Sequence, residues 1–264
     1  MDRKIKIFQA DAFTDELFGG NPAAVCYLDN WLSDKLMQNI AAENNLAETA
    51  FVVPMGDQYE IRWFTPSTEV ELCGHATLAS AHVLFEFYEN DLNEIIFKSR
   101  ERGILKVRKS GDVLTLDFPV DVYKKSEAPE GLYVSLGLVP SECYKGMTDY
   151  LLVYKTENEI KSINPDYKSL KEVNARGVIV TAEGSGGVDF VSRFFAPASG
   201  VDEDPVTGSA HTTLTPFWSE RLGRKKLRAV QLSKRKGYLE CELKNDRVEI
   251  SGKVRTYLTG EIHI

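Results

Sequence analysis

The sequence lacks the residue patterns that mark several common classes of protein. Its four cysteines form no C-x-x-C pair, so neither a zinc knuckle nor a disulfide framework is indicated. No stretch reaches the roughly 18 consecutive apolar residues that a membrane helix needs, and residues 1–5 carry no apolar signal core. We therefore expect a cytoplasmic protein that does not bind membranes.

Negative charge exceeds positive charge. The 264 residues include 32 Lys and Arg against 39 Asp and Glu, a net charge of −7, which disfavours nucleic acid as a partner. The glycine cluster at residues 184–187 is not followed by Gly-Lys-Ser/Thr, so we interpret it as a hairpin turn and not as a phosphate-binding loop. Ser209 lacks the G-x-S-x-G setting of many hydrolases, which disfavours a hydrolytic triad.

What the sequence does contain is one long motif that occurs twice, at residues 62–78 and 193–211. Arg62 and Pro66 recur 131 positions later as Arg193 and Pro197, and Gly74 matches Gly208 after a three-residue insertion. An offset of half the chain predicts two similar halves. We predict an N-terminal domain at 1–113 and a C-terminal domain at 114–264, with terminal strands allowed to cross between them.

Apolar periodicity predicts short strands throughout, and two segments without charged residues predict buried helices. These segments are 73–85 and 205–218, and Pro216 is expected to kink or end the second. Further helices are predicted from a cap at Asn30 to about Asn44 and over about 166–173. The predicted fold class is α+β, with two pseudo-symmetric domains, each a curved, mostly antiparallel sheet wrapped around one central buried helix.

The two repeated loops form the candidate site, because each leads into a helix start. Helix N-termini near residues 74–75 and 208–209 offer N–H groups and positive dipole ends, which suit a small carboxylic acid held in a cleft. Proton transfer beside a carboxylate needs a base whose pKa lies near the working pH. Glu48 and Asp204 are both candidates, because their segments are apolar or proline-flanked.

A two-thiol racemase is one alternative chemistry. Cys73 occupies the position that Thr207 holds in the other copy of the repeat, and a hydroxyl group is far too weak an acid to replace a thiol. The two-cysteine mechanism is therefore disfavoured. A cysteine-dependent racemase or epimerase and a non-catalytic carboxylate-binding protein stay open as alternatives.

Five short motifs, taken together, identify a family. They are F-G-G-N-P at 18–22, A-E-T-A-F at 47–51, R-W-F-T-P at 62–66, C-G-H-A-T-L at 73–78 and E-D-P-V-T-G-S-A-H at 203–211. The set resembles the phenazine-biosynthesis PhzF-like isomerases, within the diaminopimelate epimerase-like superfamily. The resemblance implies isomerisation without a cofactor or metal, and it makes a homodimer reasonable. In the phenazine pathway member the substrate is trans-2,3-dihydro-3-hydroxyanthranilate.

The resemblance also implies roles for individual residues. Carried over by motif, Glu48 is the acid/base that moves a proton between ring carbons. The predicted function is isomerisation of a small cyclic or unsaturated carboxylic acid. The predicted site consists of catalytic Glu48, His75, Asp204 and Ser209, with substrate-binding Asn21, Cys73, Gly74, Thr207 and Gly208.

Overall fold

The structure is a computed structural model that describes residues 4–264. Residues 1–3 lie outside the described residues. The predicted first domain begins with them, as does the N-terminal segment that was expected to lack a signal core. The chain divides into two compact units. The first comprises the residues up to Asp117 together with Ser251–Ile264, and the second is Phe118–Ile250. The predicted division lay between residues 113 and 114, and strand pairing accounts for the return of the C-terminal segment to the first unit.

Strands make up most of the regular structure. They are β1 (Lys4–Ala12), β2 (Asn21–Tyr27), β3 (Glu48–Met55), β4 (Gln58–Phe64), β5 (Glu69–Val70), β6 (Glu94–Ser99), β7 (Gly103–Ser110), β8 (Val113–Pro119), β9 (Lys124–Lys125), β10 (Glu142–Lys145), β11 (Tyr150–Val153), β12 (Val178–Glu183), β13 (Phe190–Ala196), β14 (Val201–Glu203), β15 (Lys226–Gln231), β16 (Gly237–Lys244), β17 (Arg247–Gly252) and β18 (Val254–His263). The helices are α1 (Asp34–Asn44), α2 (Gly74–Phe87), α3 (Leu132–Leu136), α4 (Glu157–Ser162), α5 (Tyr167–Lys171) and α6 (Gly208–Leu222).

In the first unit the sheet is mostly antiparallel. Strand β1 pairs antiparallel with β2 and with β18, which brings the C-terminal segment into this unit. Strand β2 runs parallel to β3, and β3 antiparallel to β4. Strand β4 pairs antiparallel with β5 and parallel with β6, and β6 pairs antiparallel with β7. Helices α1 and α2 make the two crossovers that parallel neighbours require.

The second unit repeats this order of pairing. Strand β11 runs parallel to β12, and β12 antiparallel to β13. Strand β13 then pairs antiparallel with β14 and parallel with β15, and β15 pairs antiparallel with β16. The pairing types of β11 to β16 match those of β2 to β7 one for one. The internal repeat in the sequence is therefore a repeat of topology, and the predicted α+β class is confirmed.

Each unit contains one long helix that is buried almost all round. Helix α2 packs against β1, β2 and β3, and α6 packs against β15 and β16. Pro216 does not end α6, since the helix continues to Leu222. Proline cannot donate to the carbonyl of Thr212 four residues earlier. That carbonyl instead accepts the N–H of Asp121 at 3.2 Å, so its hydrogen bond is replaced.

The other helices differ from prediction mainly at their ends. Helix α1 begins at Asp34 and not after Asn30, because the Ser33 hydroxyl accepts the Leu36 N–H as an N-cap. The predicted helix at 166–173 is the shorter α5, capped by Asp166. Helices α3 and α4 were missed, since one or two turns are too short to show a helical period. No helix in the described part of the chain, residues 4–264, is long and apolar enough to span a bilayer.

The repeated arginines tie the strands that lead to the two long helices. Arg62 on β4 donates to both carboxylate oxygens of Glu69 on β5, at 2.7 and 2.6 Å. Arg193 on β13 makes the same fork to Glu203 on β14, at 2.7 and 2.9 Å. Two-point contacts of this kind fix geometry as well as charge. Each unit thereby holds the segment just before its helix start.

Candidate active site

Glu48 is the first residue of β3, the strand that follows α1 in the chain. The strand lies parallel to β2, with Glu48 paired to Ala23. The side chain is 17% exposed, and its Oε2 lies 3.1 Å from Nε2 of His75. Glu48 is therefore partly buried at the entrance of a strand.

His75, the second residue of α2, is 5% exposed and connects three elements. The Asn21 side chain, at the start of β2, contacts His75 Nδ1 at 3.1 Å through its amide nitrogen. An amide nitrogen can only donate, so Nδ1 accepts and Nε2 carries the hydrogen that faces Glu48. The first residues of β2 and β3 and the first turn of α2 thus converge on one imidazole.

The protonation of His75 follows from its neighbours. Burial lowers the pKa of His75, but the negative charge of the Glu48 carboxylate, 3.1 Å from Nε2, outweighs burial and raises the pKa well above its usual value. A second proton would occupy Nδ1, and the Asn21 amide would then have to turn its oxygen toward the ring in place of its nitrogen. In either protonation state, Nε2–H is directed at Glu48.

Cys73 precedes α2 as its N-cap residue and is buried beside His75. Burial, and next the charge of Glu48, raise the pKa of the Cys73 thiol to about 11. The thiol is therefore protonated at neutral pH, and a thiol in that state is neither a good nucleophile nor a ready base.

The same side chains include three types of metal ligand. The donor atoms of Glu48, Cys73 and His75 all lie within 4.8 Å of one another. Carboxylate, thiolate and imidazole are all ligands of zinc, although the thiol would first have to lose its proton. That the reaction at this site needs no metal ion stays a prediction.

Both long helices begin without a side-chain cap. Neither Cys73 before α2 nor Thr207 before α6 makes a capping hydrogen bond with its side chain. The first N–H groups of a helix have no partner inside the helix. Gly74 and Gly208 are the first residues of these helices and carry no side chain to obstruct approach to the N–H groups. These are the groups predicted to hold a carboxylate.

In the second unit the predicted residues Asp204, Thr207, Gly208 and Ser209 lie at the start of α6. The Thr207 hydroxyl donates to Asp204 Oδ2 at 2.5 Å. Ser209 is exposed, and it is the second residue of α6 as His75 is of α2. The two helix starts therefore differ in chemistry: the first presents an imidazole with a carboxylate, and the second presents two hydroxyls with a carboxylate.

Sequence reasoning missed Gln231, a fully buried residue at the end of β15. Its side chain accepts the backbone N–H of Thr207 at 2.9 Å and donates to the carbonyl of Asp204 at 2.8 Å. A glutamine following Ala229 and Val230 in an apolar strand is the only signal in the sequence, and that signal does not say which loop the side chain reaches.

His211, in the second turn of α6, is a buried histidine outside the predicted set. Its Nδ1–H donates to the Thr207 carbonyl at 2.8 Å, and its Nε2 has no hydrogen-bond partner within residues 4–264. Burial lowers the pKa of His211 to about 4, and the contact with Thr207 offsets only part of that effect. His211 is therefore neutral in the native protein.

We expect His211 to make the protein less stable in acid. As pH falls from 6.5 to about 4, the unfolded chain gains a proton that the native chain refuses. The free energy of unfolding should fall by about 3 kcal/mol across that window, and the full stability should be present only above it. In His211→Asn, whose amide can still donate to Thr207, urea unfolding at pH 7 and pH 4.5 should differ by less than in the native sequence. An equal pH dependence in both proteins would contradict this assignment.

Other solved structures share this fold. A hydroxyproline epimerase from Agrobacterium vitis superimposes with a TM-score of 0.63 at 10% identity, over 99% of this chain and 93% of that chain. Identity that low shows a shared fold alone.

More similar proteins give the family. The sequence model of the phenazine biosynthesis-like protein family matches residues 10–261. A Pseudomonas aeruginosa protein named as an uncharacterized isomerase is 50% identical over 99% of this chain and all of its own length. A PhzF family crystal structure from Enterococcus faecalis has 44% identity and a TM-score of 0.95, over 99% of this chain and 100% of that chain. The chain therefore belongs to the phenazine biosynthesis-like isomerase family, which confirms the motif-based prediction.

Proposed function

We propose that the protein isomerises a small cyclic or unsaturated carboxylic acid by moving one proton, with Glu48 as the single acid/base. The observation that carries this proposal is the contact of Glu48 with Nε2 of His75, at 3.1 Å, in a largely buried setting. The neighbouring N–H positions the carboxylate, and water reaches it only in part. A carboxylate in such a setting is suited to proton transfer.

The proposed reaction needs no oxidant or reductant. The Glu48 carboxylate takes a proton from one carbon of the substrate, so that a C–H bond breaks and an O–H bond forms on Glu48. The electron pair left behind shifts through the adjacent unsaturation. Glu48 then returns the proton to a second carbon, and the O–H bond breaks as the new C–H bond forms. Between turnovers His75 Nε2–H, 3.1 Å from Glu48 Oε2, holds the carboxylate in position.

The remaining predicted residues have binding roles in this proposal. The N–H groups at Gly74 and Gly208 hold the substrate carboxylate, and Asp204 and Ser209 bind its polar substituents. Asn21 acts through its hydrogen bond to His75. Cys73 and Thr207 complete the predicted binding set. We propose that turnover needs no cofactor or metal, that the protein works in the cytoplasm and that it forms a homodimer.

A panel of substrates tests this function against its main rival. The purified protein, treated with a chelator, is mixed with trans-2,3-dihydro-3-hydroxyanthranilate and related cyclic carboxylic acids, and both binding and rearrangement are followed by NMR. Rearrangement of at least one compound supports the isomerase. Saturable binding without rearrangement of any compound would favour a non-catalytic carboxylate-binding protein.

Replacing Cys73 separates the proposal from a thiol-dependent racemase. The thiol is protonated at neutral pH, so Cys73→Ser should lower turnover by less than about tenfold, against the roughly 10²- to 10⁴-fold cost of losing an acid/base. Steady-state kinetics on the compound that the native protein rearranges gives the comparison. A loss as large as that of a catalytic acid/base would instead support the cysteine-dependent mechanism.

A further inference from the structure

The side chain of Gln231 is fully buried and every polar atom on it is used. Its Oε1 accepts the backbone N–H of Thr207 at 2.9 Å. Its Nε2 donates to the carbonyl of Asp204 at 2.8 Å and to Oγ1 of Thr207 at 3.2 Å. Turning the amide over would set Oε1 against the Asp204 carbonyl and Nε2 against the Thr207 N–H. The orientation of the amide is therefore fixed by its surroundings.

That orientation decides where the hydroxyl proton of Thr207 goes. An amide N–H can only donate, so Oγ1 of Thr207 accepts from Gln231. The hydroxyl has one proton, and it is donated to Oδ2 of Asp204 at 2.5 Å. The three side chains form a chain of donors with one direction, from Gln231 through Thr207 to Asp204. Hydrogen bonds in such a chain strengthen one another.

This arrangement belongs to one of the two repeats. With Arg62 aligned to Arg193, the parallel partner strands β6 and β15 align so that Ser99 matches Gln231. The hydrogen bonds of Ser99 are local to the turn that follows it. Its hydroxyl accepts the N–H of Arg102 at 3.0 Å and donates to the carbonyl of Gly103 at 3.3 Å. Cys73 of the first repeat likewise aligns with Thr207. Both the amide donor and the hydroxyl that passes on the hydrogen bond are therefore present in the second repeat and replaced in the first.

We propose that Gln231 is a positioning residue that acts through the Thr207 hydroxyl to hold Asp204 as a carboxylate in one rotamer. The role of Asp204 toward substrate rests on the proposed function, whereas the relay itself is a property of the folded second unit. A hydrogen bond to the charged form of a carboxyl favours that form. Loss of the relay therefore makes Asp204 easier to protonate and leaves its side chain less confined.

The direct test is a ¹³C NMR titration of the Asp204 carboxyl in the full chain without ligand, with its signal identified by its loss in Asp204→Asn. Gln231→Leu removes the relay, and Thr207→Val removes only the hydroxyl, with the Gln231 contact to Asp204 retained. Both should raise the titration midpoint by roughly half a unit to one unit. Gln231→Glu should raise it further, because it replaces the donor with a negative charge.

The matched control is Ser233→Ala. Ser233 lies two residues after Gln231 and reaches the same loop. Its one hydroxyl proton is donated to the Pro205 carbonyl at 2.8 Å, so Ser233 donates to neither Thr207 nor Asp204. The titration midpoint of Asp204 in Ser233→Ala should equal that in the native protein. An Asp204 midpoint that is unchanged in Thr207→Val and Gln231→Glu would overturn the inference, even if Gln231→Leu fails to fold. Because no turnover is measured, this result stands apart from whether Glu48 is the acid/base.

Discussion

Glu48→Gln is expected to lower turnover by about 10²- to 10⁴-fold while the protein still folds and binds its ligand. An amide has the shape of the carboxyl group but neither takes nor releases a proton near neutral pH. The amide oxygen of the new side chain can still accept from Nε2–H of His75, which lies 3.1 Å from Glu48 in the native protein. The substitution therefore removes the chemistry and keeps the local structure.

Glu43→Gln provides the matched control for this variant. Glu43 is an exposed carboxylate on α1, outside the candidate site, so the same loss of charge there should leave turnover unchanged. Steady-state rates for the three proteins, with binding measured in parallel, give the comparison. Turnover in Glu48→Gln at the native rate would contradict the assignment of Glu48.

Arg193→Met is expected to destabilise the second unit by about 3–5 kcal/mol. Its side chain is 12% exposed and forms an ion pair with Glu203, whose side chain is 18% exposed. One guanidinium nitrogen also donates to the carbonyls of Ile160 and Ile163, at 3.1 and 2.6 Å. Removing the guanidinium leaves a buried carboxylate and two carbonyls without their donor, which costs more than the pair itself contributes.

Hydrogen exchange resolved along the chain measures this effect. Protection should fall in residues 118–250 of Arg193→Met and should recover in part in Arg193→Met with Glu203→Gln, because the stranded charge is then gone. Arg228→Met changes an exposed arginine on β15 and should change protection little. If Arg228→Met cost as much as Arg193→Met, the buried fork would not be the cause.

Several features of the fold could be predicted from residues alone, because their causes are local. Segments without charged residues become α2 and α6, since a helix apolar on all sides must be buried. The repeat predicted matched topology in the two units. Glu48 lies at the start of β3 because an apolar run follows it directly in the sequence, which is also a local cause.

Other features depend on contacts between residues far apart in the chain. Pro216 cannot donate to the carbonyl of Thr212, and the N–H of Asp121 donates to it instead. Asp121 is distant in the sequence, so no local pattern shows this contact. Gln231 reaches Thr207 only because β15 lies parallel to β13 in one register. Asn21 was predicted to bind substrate, and its side chain also contacts His75, a pairing that no local pattern in the sequence shows. The sequence indicates which residues carry the chemistry better than it indicates which residues orient them.

The most direct measurement of the central claim is incorporation of solvent deuterium. The native protein and Glu48→Gln are incubated in D₂O with the compound that the native protein rearranges, and the carbon positions that gain deuterium are read by NMR. The Glu48 side chain is 17% exposed, so the proton that it holds exchanges with D₂O before it is returned. Our account therefore predicts deuterium at the carbon that receives the proton with the native protein, and none above the rate without enzyme with Glu48→Gln. Equal incorporation with both proteins would show that a group other than Glu48 moves the proton.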